Sequence, residues 1–252
     1  MKILQKICFV LLLTTFSSVY GGSCNDVDEC RIKAEQGYSE SQFILGVMYE
    51  HGLGVIKDYK AAVKWYRLSA EQGHSIAQYG LGLMYLNGQG VAQDDKESVK
   101  WTRKAAEQGY VDAQYNLGTM YSNGKGVPQD YKEAFKWYRK SAEQGYSKAQ
   151  FNLGLMYHDG TGVLQDYKEA VKWTRKSAEQ GYTKAQFNLG VMYAGGEGVI
   201  NDFAMAHMYW NIAAVSGYKI AIHNRGIVEK NMTSSQLEKA QDLAREWMRK
   251  HQ

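Results

Sequence analysis

Along residues 109–144 the apolar positions recur at helical spacing, break at a glycine-rich stretch, and then recur at helical spacing again. Ala113, Leu117, Gly118 and Tyr121 fall on one stripe and predict a helix over Val111–Asn123. Ala113 and Gly118 are small enough to let a neighbouring helix come close. Gly124-Lys125-Gly126-Val127 interrupts the pattern, because two glycines two apart supply the backbone freedom of a tight interhelix loop. Asp130 then offers an N-cap, and Glu133 three residues on completes a capping-box-like pair that returns as Asp94 with Glu97 and Asp166 with Glu169. The second predicted helix carries Ala134, Trp137, Tyr138 and Ala142 on one face, places Arg139 and Glu143 at i, i+4 on the polar face, and stops at Gly145.

This pattern is copied along the chain. Gly37, Gly73, Gly109, Gly145, Gly181 and Gly217 stand 36 residues apart with no insertion, and a fixed period of that size signals a stacked array. The copies that begin at Gly109 and Gly145 differ at ten of 36 positions, so one physical account serves both. Ordering a single copy costs far more than burying its one tryptophan returns, so a lone copy does not fold. Stacking is required, and Trp65, Trp101, Trp137 and Trp173 are expected between adjacent helix pairs rather than in a cofactor or sugar box.

The order A-x-x-x-L-G-x-M-Y, then G-x-G-V-x-x-D, then A-x-K-W, then A-E-Q-G resembles the Sel-1-like repeat family, a relative of the tetratricopeptide repeat. The likeness covers about residues 31–231 and is specific: Leu153, Gly154, Met156, Tyr157, Gly160, Gly162, Val163 and Asp166 all hold their family places. It implies an all-α fold, a right-handed α–α superhelix or solenoid of five 36-residue helix pairs plus capping helices, with first helices lining a concave face. It also implies an adaptor that gathers other proteins and not an enzyme, and a monomer is expected. The expected organisation is a signal peptide over 1–22, an N-terminal capping half-repeat over 24–36, five repeats over 37–216, and a degenerate sixth repeat with a capping helix over 217–252. Near the end, Arg225 replaces the usual Leu, Thr233 with Gln236 resembles a capping box, and Leu237, Ala240, Ala244, Trp247 and Met248 form the stripe of a last helix. The second helix of the fifth copy is unusually apolar, with Met208, Asn211, Val215 and Ser216 in place of charged residues and Gln, which predicts burial under that last helix, a partner surface being the alternative.

Composition places the chain in a compartment more than it suggests a reaction. Lys2 and Lys6 precede an apolar run, residues 7–13, too short to span a bilayer, which reads as a signal peptide; a membrane anchor is the alternative. Export to the periplasm or beyond follows, with cleavage between Gly22 and Cys24. Cys24 and Cys30 are then the remaining thiols and are expected to form a short-loop disulfide, unless Cys24 is the lipidated first residue of a lipoprotein, the one route to a membrane. Removing Lys2 and Lys6 leaves 28 basic against 26 acidic residues, so nothing indicates nucleic acid.

Catalytic patterns are sparse. No H-E-x-x-H, G-x-S-x-G or phosphate-cradling loop occurs, the six histidines fall at different repeat phases, and neither a metal nor a cofactor is expected. Ser122-Asn123-Gly124-Lys125 forms an S-x-x-K string, and some exported cysteine-rich members of the family are described as penicillin-binding or β-lactamase-like. Gly124 breaks the helix between the two residues, however, and S-D-N and K-T-G companions are missing. A hydrolase of the β-lactam or peptidoglycan kind therefore stands as the alternative, and a secreted factor that binds host proteins as a third reading.

Variation between copies carries the functional expectation. By analogy with tetratricopeptide grooves, Phe43, Tyr79, Tyr115, Phe151 and Phe187 form an inward aromatic column, although the same rings would serve to pack helices together. Glu40, Asp112, Lys148 and Lys184 vary at one phase, and Glu50, Leu86, Ser122 and His158 at another, with charge passing from acidic to basic along the array. Thr119 is a further departure within its copy, and Asn116, Asn152, Asn188 and Asn224 form an amide column able to bond a neighbouring helix or a bound peptide. The resulting expectation is a protein or peptide partner held by Glu40, Phe43, Tyr79, Asp112, Tyr115, Thr119, Ser122, Lys148, Phe151, His158, Lys184 and Phe187.

Overall fold

The computed structural model describes Cys24 and residues 26–250, so the proposed signal segment over 1–22 lies outside the described residues. Those residues form helices and no strands. In order they are α1 (Val27–Glu35), α2 (Ser39–His51), α3 (Tyr59–Glu71), α4 (Ser75–Asn87), α5 (Asp95–Glu107), α6 (Val111–Asn123), α7 (Tyr131–Glu143), α8 (Ser147–Asp159), α9 (Tyr167–Glu179), α10 (Thr183–Gly195), α11 (Phe203–Val215), α12 (Lys219–Glu229) and α13 (Ser234–Lys250). The fold class is the all-α helix-pair repeat. The chain divides into two compact units, Met1–Gln129 and Asp130–Gln252. In the first, α2 packs on α3 and α4 on α5, with α1 against α2; in the second, α8 packs on α9 and α10 on α11, with α12 and α13 both against α11.

Each second helix starts at an aspartate for a visible reason. Asp130 Oδ1 accepts from the backbone N–H groups of Lys132 at 2.9 Å and Glu133 at 3.1 Å, and Asp58, Asp94, Asp166 and Asp202 repeat the arrangement. The reciprocal half of the expected capping box is absent there. The Asp166 amide is already taken by the Tyr157 carbonyl at 2.9 Å, so Glu169 turns instead to Lys172 and accepts from Trp173 Nε1 at 3.0 Å. A reciprocal box does form before α13, where Thr233 N–H donates to Gln236 Oε1 at 2.8 Å and Gln236 N–H to Thr233 Oγ1 at 3.2 Å.

First helices end on a left-handed glycine, such as Gly160 with φ 68°, and the following loop lies on the preceding second helix. Gly162, at φ 72°, is held so close to that helix that a Cβ would stand 2.3 Å from the Tyr131 carbonyl oxygen. Within each pair the helices also approach over glycine: a Cβ on Gly82 would meet Thr102 Oγ1 at 2.7 Å, and one on Gly154 would meet Thr174 Oγ1 at 2.5 Å.

A glutamine ladder joins consecutive helices within each unit. Gln78 Nε2 donates to the Ala70 carbonyl at 3.1 Å, while Gln78 Oε1 accepts from Gln108 Nε2 at 2.7 Å; Gln150 does the same with Ala142 at 3.2 Å and Gln180 at 2.7 Å. These amides are buried but satisfied. The ladder fails once: Ser216 stands where a glutamine would reach Gln186, and Gln186 Oε1 is buried without a partner.

The ends are covered differently. Cys24 and Cys30 form a disulfide and pack with Ala34, Leu45 and Met48 beside α1. At the other end Ala240 and Ala244 are fully buried, and Leu243, Trp247 and Met248 pack on the core that contains Met208. Burial beneath α13 thus holds for Met208 but not for Val215, which is 70 % exposed. Asn211 has a polar partner, accepting from Arg225 Nη1 at 2.6 Å, so these two departures from the repeat compensate one another.

Candidate partner-binding site

The first helices present one stripe to solvent at i, i+4, i+7 and i+11: Lys148, Asn152, Leu155 and Asp159 on α8, and Lys184, Asn188, Val191 and Gly195 on α10. These positions are half-buried or exposed, whereas the residues one step around the helix are core. The predicted aromatic column lies on that boundary. Phe43 and Phe151 are buried, Phe43 against Tyr66 and His74 and Phe151 against Tyr182 at 5.3 Å between ring centroids. Tyr79, Tyr115 and Phe187 are half-buried; Tyr79 packs on Tyr110 at 5.2 Å and Phe187 on Tyr218 at 5.1 Å. At Phe43, Tyr79, Phe151 and Phe187 the column therefore packs a first helix against the ring that opens the next, and it offers a partner at most the edges of Tyr79, Tyr115 and Phe187.

In the first unit the remaining predicted residues are largely engaged. Glu40 meets His74 Nε2 at 2.8 Å, and His74 also caps its own helix by accepting the Ala77 N–H at 3.1 Å. Asn116 donates to the Tyr79 hydroxyl at 2.7 Å, and Thr119 Oγ1 to the Tyr115 carbonyl at 3.1 Å. Glu50 accepts from the Tyr66 hydroxyl at 2.5 Å, and burial followed by that carboxylate pushes the phenol far above its ordinary range. Asp112 is half-buried in the first turn of α6. Ser122 lies at the far end of the same helix, where its carbonyl accepts from Gln129 at 2.8 Å. Lys125 follows the left-handed Gly124 and reaches Asp95 at 3.7 Å, so the S-x-x-K string is divided between a helix and a loop.

The second unit differs. Lys148 and Lys184 are exposed and make no ion pair. Beyond them a pocket of about 180 Å³ opens on the same stripe, with Leu155, Val191 and Met192 as its apolar residues and His158, Asp159, Asn188 and Glu197 as its polar ones. His158 Nδ1 meets Asp159 Oδ1 at 2.6 Å, its Nε2 meets Glu197 Oε2 at 3.1 Å, and its ring stands edge-on to Tyr167 at 5.3 Å. The bond to Asp159 is the main cause that raises the imidazole above its ordinary value; burial opposes it, and the bond to Glu197 adds to the rise. Among the described residues no three His, Cys, Asp or Glu side chains are placed to hold a metal ion.

Sequence reasoning passed over Leu155, Asp159, Val191 and Glu197. Counting +4, +7 and +11 from Lys148 finds the first two and their counterparts on α10. Glu197 lies in the loop after α10, and only the folded loop brings it to His158.

The comparisons with known proteins follow the same lines. The Sel1 repeat model matches residues 39–74, 75–110, 111–146, 147–182 and 183–218. A protective antigen of uropathogenic Escherichia coli that displays an SLR fold is 37 % identical with a TM-score of 0.82; the match covers 96 % of this chain and 53 % of that one, so this chain spans about half its length. A Sel1 repeat protein from Oxalobacter formigenes is 30 % identical with a TM-score of 0.76, covering 97 % of this chain and 96 % of that one. No protein of curated function matches.

Proposed function

Because the chain belongs to the Sel1 repeat family, whose fold is commonly a protein-interaction scaffold, we propose that it is an exported adaptor that binds a segment of another protein on its first-helix face. The observation that carries this reading is the unpaired state of Lys148 and Lys184 on one solvent-facing stripe, beside a pocket, whereas Glu40 and Asn116 of the first unit are spent internally. Exposed lysines held on rigid helices and free of internal partners are available to steer and hold an acidic partner. The disulfide near the start of the described chain supports export, since such bonds persist in oxidising compartments. It engages the same sulfur that a lipid anchor on Cys24 would need. We assign no reaction to the chain.

Reversing both charges, Lys148→Glu with Lys184→Glu, tests the reading. The partner recovered by crosslinking from the exporting cell should be lost, with helical circular dichroism unchanged. Undiminished capture by a folded variant sinks it.

A further inference from the structure

The second unit's stripe has opposite charge at its two ends, and each helix carries one asparagine and one aliphatic residue between them. Lys148 and Lys184 stand in the first turns of α8 and α10, whereas Asp159 closes α8 and Glu197 follows α10. His158 engages one oxygen of each carboxylate, leaving Asp159 Oδ2 and Glu197 Oε1 without a partner; the two side chains are 59 % and 40 % exposed. Between the charged ends lie Leu155 and Val191, in the pocket of about 180 Å³.

Asn188 adds a backbone-reading group. In the first unit Asn116 spends its amide on the Tyr79 hydroxyl, but the ring in the same relation to Asn188 is Phe151, which has no hydroxyl. The Asn188 amide therefore has no hydrogen-bond partner and lines the pocket. A carboxamide offers both a donor and an acceptor, the pair that matches a peptide unit.

Eleven residues separate Lys148 from Asp159, about 16 Å along a helix, a span that about five residues of extended peptide cover. Resting on the proposed partner-binding role of this face, we infer that its ligand is an extended protein segment with a carboxylate at one end and an aliphatic–basic pair about five residues away. The carboxylate meets Lys148 and Lys184, the aliphatic side chain fills the pocket over Leu155 and Val191, the basic group meets Asp159 and Glu197, and Asn188 bonds the peptide backbone between them.

The probe is the blocked, fluorescein-labelled peptide Glu-Ala-Ala-Ala-Leu-Arg, titrated with the full chain by fluorescence anisotropy. Changing its Glu to Lys, its Leu to Asn or its Arg to Glu should each weaken binding about fivefold or more, the loss of one ion pair or one buried aliphatic group. Asp159→Asn with Glu197→Gln should abolish the preference for Arg over Glu at the last position and leave the preference for Leu. Lys148→Glu with Lys184→Glu should reverse the preference at the first position. Equal binding of all four peptides, no measurable binding, or preferences indifferent to these substitutions overturns the inference. If that happens while the lysine reversals still abolish capture of the native partner, the broader reading of the face stands; if capture also persists, both fall.

Discussion

Gly154 and Gly226 occupy the same phase of the repeat, yet alanine should have opposite effects at the two. At Gly154 the added Cβ would lie 2.5 Å from Thr174 Oγ1 and 3.2 Å from both the Ala170 carbonyl oxygen and the Thr174 nitrogen. The hydroxyl can turn aside, but the backbone atoms belong to the paired helix and move only with it. Overpacking of this kind costs about 1–3 kcal/mol or somewhat more, against a helix-propensity gain of about 1 kcal/mol for replacing glycine. Gly154→Ala should therefore destabilise the chain by up to about 2 kcal/mol. At Gly226 nothing lies within 4 Å, and only the propensity gain remains, so Gly226→Ala should stabilise by about 0.5–1 kcal/mol. Urea unfolding of the full chain followed by circular dichroism reads both, with unchanged slopes required for comparing midpoints. Adding Thr174→Ala to Gly154→Ala should cost less than the two changes summed, because it removes the nearest clash. A Gly154→Ala midpoint at or above that of the parent chain would refute the close-packing argument.

Three further outcomes follow from the structure. Ser216→Gln should restore the broken ladder by giving Gln186 Oε1 a donor, raising stability by about 1 kcal/mol in the same urea experiment; no gain would mean that water already satisfies that oxygen. His158 should titrate above its ordinary value of about 6.5 in an NMR pH series, and Asp159→Asn with Glu197→Gln should return it downwards. Because the folded-state value is raised, its stabilising contribution is complete below about pH 6.5 and fades as pH rises through the raised value, so His158→Gln should flatten stability across that window. Reducing the Cys24–Cys30 bond, which closes a separation of six residues, should cost about 2 kcal/mol and appear as faster amide exchange confined to α1 and its contacts; unchanged exchange would show that the bond contributes nothing.

Much of the helix-pair fold was legible because each signal is local. Apolar spacing placed a helix at Val111–Asn123, Asp130 marked the next start, and Thr233 with Gln236 announced the last. What resisted reading depends on a second element. The Asp166 amide cannot complete a capping box because the Tyr157 carbonyl has claimed it, a fact that appears only when the interhelix loop closes. Phe43 and Phe151 share a helix with the solvent-facing stripe but fall one step towards the core, where His74 and Tyr182 cover them. A column of aromatic letters does not distinguish a groove from a packing seam. His158 likewise gains its meaning from Glu197, 39 residues away, and Asn188 from the hydroxyl that Phe151 lacks.

The central claim, that the first-helix face of the second unit meets a partner protein, is tested most directly by site-specific photocrosslinking in the cell that makes the protein. A photoreactive residue at position 184 should yield one discrete adduct, and the same residue at position 172, on the second helix α9, should yield none. Adducts formed from position 172 but not from position 184 would contradict the account.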